Sequence, residues 1–155
     1  TLFPYTTLFR STALHRSDAR IGDAGDVGAI GPLELVHRLA PGMPTVYITA
    51  QLPSLDNLGI RSGQDSAWTA GFQHRQHGSV PKMIQAAGGT HWSSFWRELD
   101  AAQVQEAHQL GIQVLAWTVN DRQAMGQMLD LGVDGLVTDR PDIAIELLKE
   151  RGIRW

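Results

Sequence analysis

The stretch "QVLAWTVNDRQAMGQMLDLGVDGLVTDRPD", Gln113 to Asp142, decides the fold. It holds two apolar runs, "QVLAWTV" and "DGLVTD", each ending in polar residues. Between them "DRQAMGQMLDLG" sets Met125, Met128 and Leu129 on one helical face. Nothing in it signals a tight hairpin, so the runs predict strands paired in parallel through a right-handed helical crossover. In a sheet or barrel of this kind, ligand-handling groups gather where strands end and run into the next helix. Trp117, Asn120, Thr138 and Asp139 fall on that rim.

The same alternation extends outward in both directions. Upstream, "LDAAQVQEAHQLG" predicts a helix with Asp100 as cap, Gln103 reaching back to it, Val104, Ala107 and Leu110 inward, and Gly111 as the stop. Before it, "PKMIQAAGG" reads as a short helix opening at Pro81, followed by a brief apolar piece at "THWS". "TVYIT", Thr45 to Thr49, is β-branched and aromatic as a buried strand should be. "PLELVHRLAPG" aligns Leu33, Val36 and Leu39 on one helical face and stops at Pro41-Gly42. Downstream, a last helix starts at Pro141 after Asp139, with Ile143, Ile145, Leu147 and Leu148 as its apolar positions. Ala50 to Val80 lacks periodicity and exceeds the roughly 12 to 15 residues of an ordinary structureless loop, which marks it as functional or disordered. The fold class is α/β, with about four parallel strands.

A chain of 155 residues with 43% hydrophobic content fits one domain with a real core. The net charge of -3, without a basic block, argues against nucleic acid as a partner. No apolar run reaches the roughly 18 residues of a membrane span, and no signal-peptide pattern is visible. The compartment is left open, with the cytoplasm favoured. Zero cysteines exclude a disulfide scaffold, a thiolate zinc site and a cysteine nucleophile.

The segments "AWTVND" and "LGVDGLVTDRPD" resemble the C-terminal half of glycerophosphodiester phosphodiesterases. "AAGGTHWSSFWRELDAAQVQEAHQLGIQVLAWTVND", "APGMPTVYIT" and "SAWTAGF" extend the likeness from about Gly31 to the C-terminus. The resemblance implies a TIM-type (β/α)8 barrel that hydrolyses a small-molecule glycerophosphodiester, such as glycerophosphocholine or glycerophosphoethanolamine, to an alcohol and glycerol 3-phosphate. It also implies a divalent cation, Ca or Mg, held by carboxylates beside an acid-base histidine pair. Those groups belong to an H-R-G strand end followed by P-E-N, an E-x-D strand and a later H-D pair in the family's N-terminal half. None is found here; His15-Arg16 is followed by serine in a polar stretch.

A complete barrel takes about 250 residues and eight strands, so this chain is expected to be the C-terminal half of one, inactive alone. The opening "TLFPYTTLFRS" resembles the translated read-through of a sequencing adapter. With the weakly patterned Thr12 to Ile30 it is expected to form a non-native or disordered leader over residues 1–30, and the barrel part spans 31–155. The rival reading is a non-catalytic half-barrel used for binding or assembly, since an unclosed parallel sheet leaves edges that invite self-association.

Three residues are expected to bind substrate. Trp117 matches a tryptophan that lines the family's active-site mouth, against the alternative of core packing. Asn120 faces a substrate oxygen or caps the helix after it, a role Asp121 can also fill. Arg140 contacts phosphate or forms a surface ion pair. Asp139 is expected to cap the last helix. His74 and His77 form H-x-x-H but lack a third ligand and read as solvated loop residues. His108 suits a helix C-terminus. Trp68 and Phe72 cover the barrel mouth or pin the long loop.

Overall fold

The computed structural model describes residues 38–40 and 45–153. The expected leader and most of the "PLELVHRLAPG" helix lie outside that range. Arg38 and Leu39 are helical, and Leu39, expected on the apolar face, is exposed.

The strands are β1 (Val46–Thr49), β2 (Gln51–Leu52), β3 (Leu55–Asp56), β4 (His91–Phe95), β5 (Gln113–Trp117) and β6 (Gly135–Leu136). The α-helices are α1 (His74–His77), α2 (Val80–Ala86), α3 (Ala101–Gln109), α4 (Arg122–Leu131) and α5 (Pro141–Glu150). A four-stranded sheet runs β1-β4-β5-β6, every pair parallel. Neighbours in space thus follow chain order, as in one arc of a barrel.

Local chemistry accounts for the element ends. Asp100 caps α3 through a full capping box: it accepts from the Gln103 amide while the Gln103 side chain accepts from the Asp100 amide. Gly111, at φ +74, turns the chain out of that helix in a conformation that other residues adopt only at a cost. Gly89 is required for space, because a Cβ there would sit 2.5 Å from both Tyr47 and Ile84.

Several expectations are adjusted. Ser79 caps α2, so this helix begins at Val80 with Pro81 inside its first turn. The apolar piece at "THWS" is a five-residue strand reaching Phe95. The run "DGLVTD" shrinks to a two-residue strand, although the Val137 amide still donates to Ala116 at 2.8 Å. The stretch from Ala50 to Val80 is structured: β2 and β3 pair as an antiparallel hairpin, a 3-10 turn spans Ala67–Thr69, and α1 follows. Side chains bonding to backbone nearby hold such a segment without hydrophobic periodicity.

Register assigns side chains to the two faces of the sheet, since laterally paired residues in parallel strands point the same way. Tyr47, Trp92 and Val114 are paired across one face, and Thr49, Ser94, Ala116 and Leu136 lie along it one pleat further on. The helices cover this face. Tyr47, Trp92, Val114 and Ala116 are at most 3% exposed, packed with Met83, Ile84, Val104, Ala107 and Met125. Their polar tips are satisfied: Tyr47 OH donates to Ala87 O at 2.8 Å, and Trp92 Nε1 donates to Thr49 Oγ1 at 2.8 Å. The opposite face carries Ile48, Ser93, Leu115 and Gly135, with Phe95 and Trp117 at its C-terminal end. Ile48 is 41% exposed, and Leu115, Phe95 and Trp117 are half-buried and outside the core cluster. A parallel sheet is ordinarily buried on both faces; the second face here is only partly covered, with Ser93 buried, Leu115, Phe95 and Trp117 half-buried and Ile48 exposed.

Candidate functional site: the C-terminal rim

Four strand ends converge on one rim, and each holds its polar groups differently. At the end of β5, Trp117 pairs in register with Phe95 of β4. The rings stand 5.6 Å apart, tilted by 59°. Trp117 Nε1 donates to Ser93 O at 3.1 Å, which fixes the indole on the open face. Trp117 thus ends β5 on the rim and lies outside the core cluster.

Asn120 lies just beyond, and it clasps the neighbouring strand end. Its Oδ1 accepts from Thr138 Oγ1 at 3.1 Å and from the Asp139 amide at 2.8 Å, while its Nδ2 donates to Asp139 Oδ2 at 2.9 Å. The capping alternative belongs to Asp121, which accepts from the Ala124 amide at 2.9 Å. Asp139 is not the cap expected for α5. Arg140 occupies that position without a side-chain cap bond, because the Asp139 carboxylate is turned toward Asn120.

Arg140 donates from Nε and Nη2 to the two carboxylate oxygens of Asp142, at 3.1 and 2.7 Å. This pairing holds the Asp142 carboxyl below the usual carboxylate range and raises the guanidinium further. The remaining guanidinium donors point to no carboxylate among the described residues.

Glu98, Asn57 and Phe95 were not singled out by sequence. Glu98 follows β4 and accepts from the Gln51 amide at 2.7 Å through Oε1, tying that rim to the β2–β3 hairpin. Its Oε2 is buried with no hydrogen-bond partner among the described residues. Burial pushes its carboxyl above the usual range; the Gln51 amide opposes this, Asp56 adds to it and Arg61 reduces it. Asn57 staples the hairpin to β1: its Nδ2 donates to Ile48 O and its Oδ1 accepts from the Ala50 amide, both at 2.9 Å. Lone polar residues bonded across 47 or 9 positions of sequence leave no periodic signal. Phe95 was missed because the expected strand stopped short of it.

Other candidates lie elsewhere. His77 stacks on Phe72 with centroids 6.1 Å apart, and Phe72 packs against the core, so it pins the loop. Trp68 is 55% exposed. His108, at the opposite end of the sheet, meets Asp134 Oδ2 at 2.9 Å, and that same oxygen accepts from the Val114 amide. A cleft of about 120 Å³ lies within the long loop among Leu58, Ile60, Ser66, Thr69, Gln73 and His74. None of its lining residues belongs to the aromatic pair. No group of three or more His, Cys, Asp or Glu suited to a metal ion occurs among the described residues, so this donor set does not fit the divalent cation that the resemblance implies.

Residues 34–143 match the glycerophosphoryl diester phosphodiesterase family. A Mycobacterium tuberculosis protein named glycerophosphodiester phosphodiesterase 2 is 45% identical over 51 residues, covering 33% of this chain and 19% of that protein. A Silicibacter pomeroyi structure bearing the name glycerophosphoryl diester phosphodiesterase superposes with a TM-score of 0.64 at 32% identity, covering 81% of this chain and 37% of that one. An Oleispira antarctica phosphodiesterase, solved with the product sn-glycerol-3-phosphate, shares the fold at a TM-score of 0.52 and 17% identity over 78% of this chain and 38% of that one. The chain thus spans well under half the length of these relatives.

Proposed function

The chain belongs to the glycerophosphoryl diester phosphodiesterase family, and from that premise we propose that its residues 31–155 form the C-terminal part of a barrel that hydrolyses a glycerophosphodiester to an alcohol and glycerol 3-phosphate. The observation that carries this reading is the rim. Trp117 ends β5, and Asn120, Thr138 and Asp139 are bonded to one another beyond the C-terminal ends of β5 and β6, the end at which barrels of this class do their chemistry. The product bound to the Oleispira relative supports a small-molecule substrate of the same kind.

Trp117, Asn120 and Arg140 each have a part that needs no metal. Trp117, immobilised by Ser93 O, presents an aromatic wall to the carbon-rich portion of the diester. Asn120 holds the two strand ends in register, with one amide hydrogen left to face a substrate oxygen. Arg140, steadied by Asp142, turns its free donors toward the phosphate. The divalent cation of a complete barrel, Ca or Mg, would polarise the phosphate oxygens; none of these steps passes through it.

Because no group of three or more His, Cys, Asp or Glu suited to a metal ion occurs among the described residues, the chain alone is inactive in this reading. The test joins it to the N-terminal half of the Silicibacter relative, adds Mg or Ca, and measures glycerol 3-phosphate released from glycerophosphocholine. Turnover by the joined barrel and none by the chain alone supports the proposal. A folded joined barrel that releases nothing removes it, and turnover by the chain alone removes the inactivity.

A second reading, a half-barrel that assembles without catalysis, has one specific observation in its favour. Ile48 on β1, at one end of the strand order, is 41% exposed, and β6 at the other end pairs only with β5 among the described strands. No helix among the described residues is long and apolar enough to cross a membrane.

A further inference from the structure

We propose that Glu98 is a proton-operated latch on the β2–β3 hairpin: its neutral carboxyl holds the hairpin against the turn that follows β4, and its ionisation lets the hairpin lift from the rim.

The hairpin is built as a flap. It leaves the end of β1 directly, so it starts at the same end of the sheet as Trp117. Both its ends are fixed: Ala50 is fully buried, Leu58 belongs to the core cluster, and Asn57 bonds to Ile48 O and the Ala50 amide. Between them, neither Leu52 nor Leu55 is in that cluster or packed against it, and Leu55 is 45% exposed. A segment with so little apolar burial opens at low cost, so polar bonds decide its position.

Those bonds meet at Gln51. Its amide donates to Glu98 Oε1 at 2.7 Å, across 47 positions of sequence, and its carbonyl accepts from Arg61 Nη1 at 3.4 Å. Across the hairpin Gln51 pairs with Asp56, whose carboxylate accepts from the amides of Leu58, Gly59 and Arg61. Glu98 thus has one oxygen bonded to the flap and the other buried without a hydrogen-bond partner among the described residues. Leaving that oxygen unpaired costs less on a neutral carboxyl than on a carboxylate. Asp56 repels the added charge and Arg61 attracts it, and burial outweighs both Arg61 and the Gln51 amide. Arg97, the cation beside Glu98 in the same turn, lies over the Trp96 ring. Once the proton passes to solvent, the carboxylate is stabilised by following it into water, and that movement breaks the bond to Gln51. The hairpin then pivots on the Asn57 staple, which does not titrate.

The test follows hydrogen exchange of the Gln51 amide in the whole 155-residue chain, labelled with nitrogen-15, from about pH 4 to about pH 8. Rates are divided by those of an unstructured peptide at each pH. E98Q, which can accept from Gln51 and cannot ionise, is read beside the native chain so that other titrating groups cancel. The native Gln51 amide is expected to match E98Q at the acid end and to be about tenfold less protected than E98Q at the alkaline end, the scale of one lost hydrogen bond. E98A should leave this amide unprotected throughout. The Met125 amide, bonded to Asp121 O, should stay more protected than Gln51 in all three chains, which separates opening of the flap from unfolding of the domain. A native chain that tracks E98Q over the whole range overturns the latch. So does protection that survives in E98A, or a loss shared equally by Gln51 and Met125.

Discussion

Asn120 and Asp139 grip each other twice: the Asn120 Nδ2 donates to Asp139 Oδ2 at 2.9 Å, and the Asp139 amide donates back to Asn120 Oδ1 at 2.8 Å. With Thr138 as a further donor, one side chain ties the exit of β5 to the exit of β6. These bonds are exposed, so each contributes modestly, about 0.5 to 1.5 kcal/mol at most. Asn120→Ala is expected to cost about 1 to 2 kcal/mol in urea denaturation. Asp139→Ala in the Asn120→Ala background should then cost much less than it does alone. Full additivity in that double-mutant cycle would contradict the clasp.

Glu98 sets a pH dependence whose sign follows from its surroundings. Burial raises its carboxyl above the ordinary range, outweighing the Gln51 amide. The folded chain therefore holds this proton more tightly than the unfolded chain does. That contribution to stability is complete below the unfolded carboxylate pKa and is lost as pH rises through the higher folded value. Glu98→Gln keeps a neutral acceptor for Gln51 and cannot ionise. The variant should be more stable than the native chain near pH 7 and lose most of that advantage near pH 4, roughly the unfolded carboxylate value. Urea midpoints at the two pH values check this, and an advantage that grows on acidification would reverse the assignment.

How much of this was legible in the sequence depends on the range of the forces involved. The α3 cap at Asp100 and Gln103, the stop at Gly111 and the inward Met125 and Met128 are local, and the sequence reading of them holds. Parallel pairing was also legible, because helices separate β4, β5 and β6 in the chain. Asp139 was misjudged for a physical reason. A carboxylate next to a helix start has capping as its nearest option, and only the folded arrangement brings in Asn120 from 19 residues away. The hairpin and turns of the long loop were hidden because Asn57, Asp56 and Ser66 fix them by bonds to backbone, which leave no apolar rhythm. Phe95 and Trp117 show the converse case: register, not composition, puts both on the open face.

The open face predicts self-association. Ile48 stands exposed on β1, beside half-buried Val46 on the same face. The chain is expected to sediment as dimers or larger species at high concentration. Ile48→Lys, which puts a charge on that face, should shift it toward monomer without changing its far-UV spectrum. Sedimentation unaffected by the substitution would mean that association, if present, uses another surface.

Two large side chains on opposite faces of the same half-barrel offer the sharpest check of its placement. Met125 is fully buried among the residues that cover the helical face, whereas Trp117 sits outside that cluster with its indole N–H bonded to Ser93 O. Met125→Ala removes atoms from a packed interior and should cost about 2 to 5 kcal/mol. Trp117→Ala deletes a larger side chain yet should cost under about 2 kcal/mol, since it forfeits one hydrogen bond and the contact with Phe95. Ordinary core logic orders the pair the other way, because tryptophan is the larger residue. Chemical denaturation of the two variants decides between them: if Trp117→Ala proves the more destabilising, the indole belongs to the core and the aromatic rim cannot be a ligand surface.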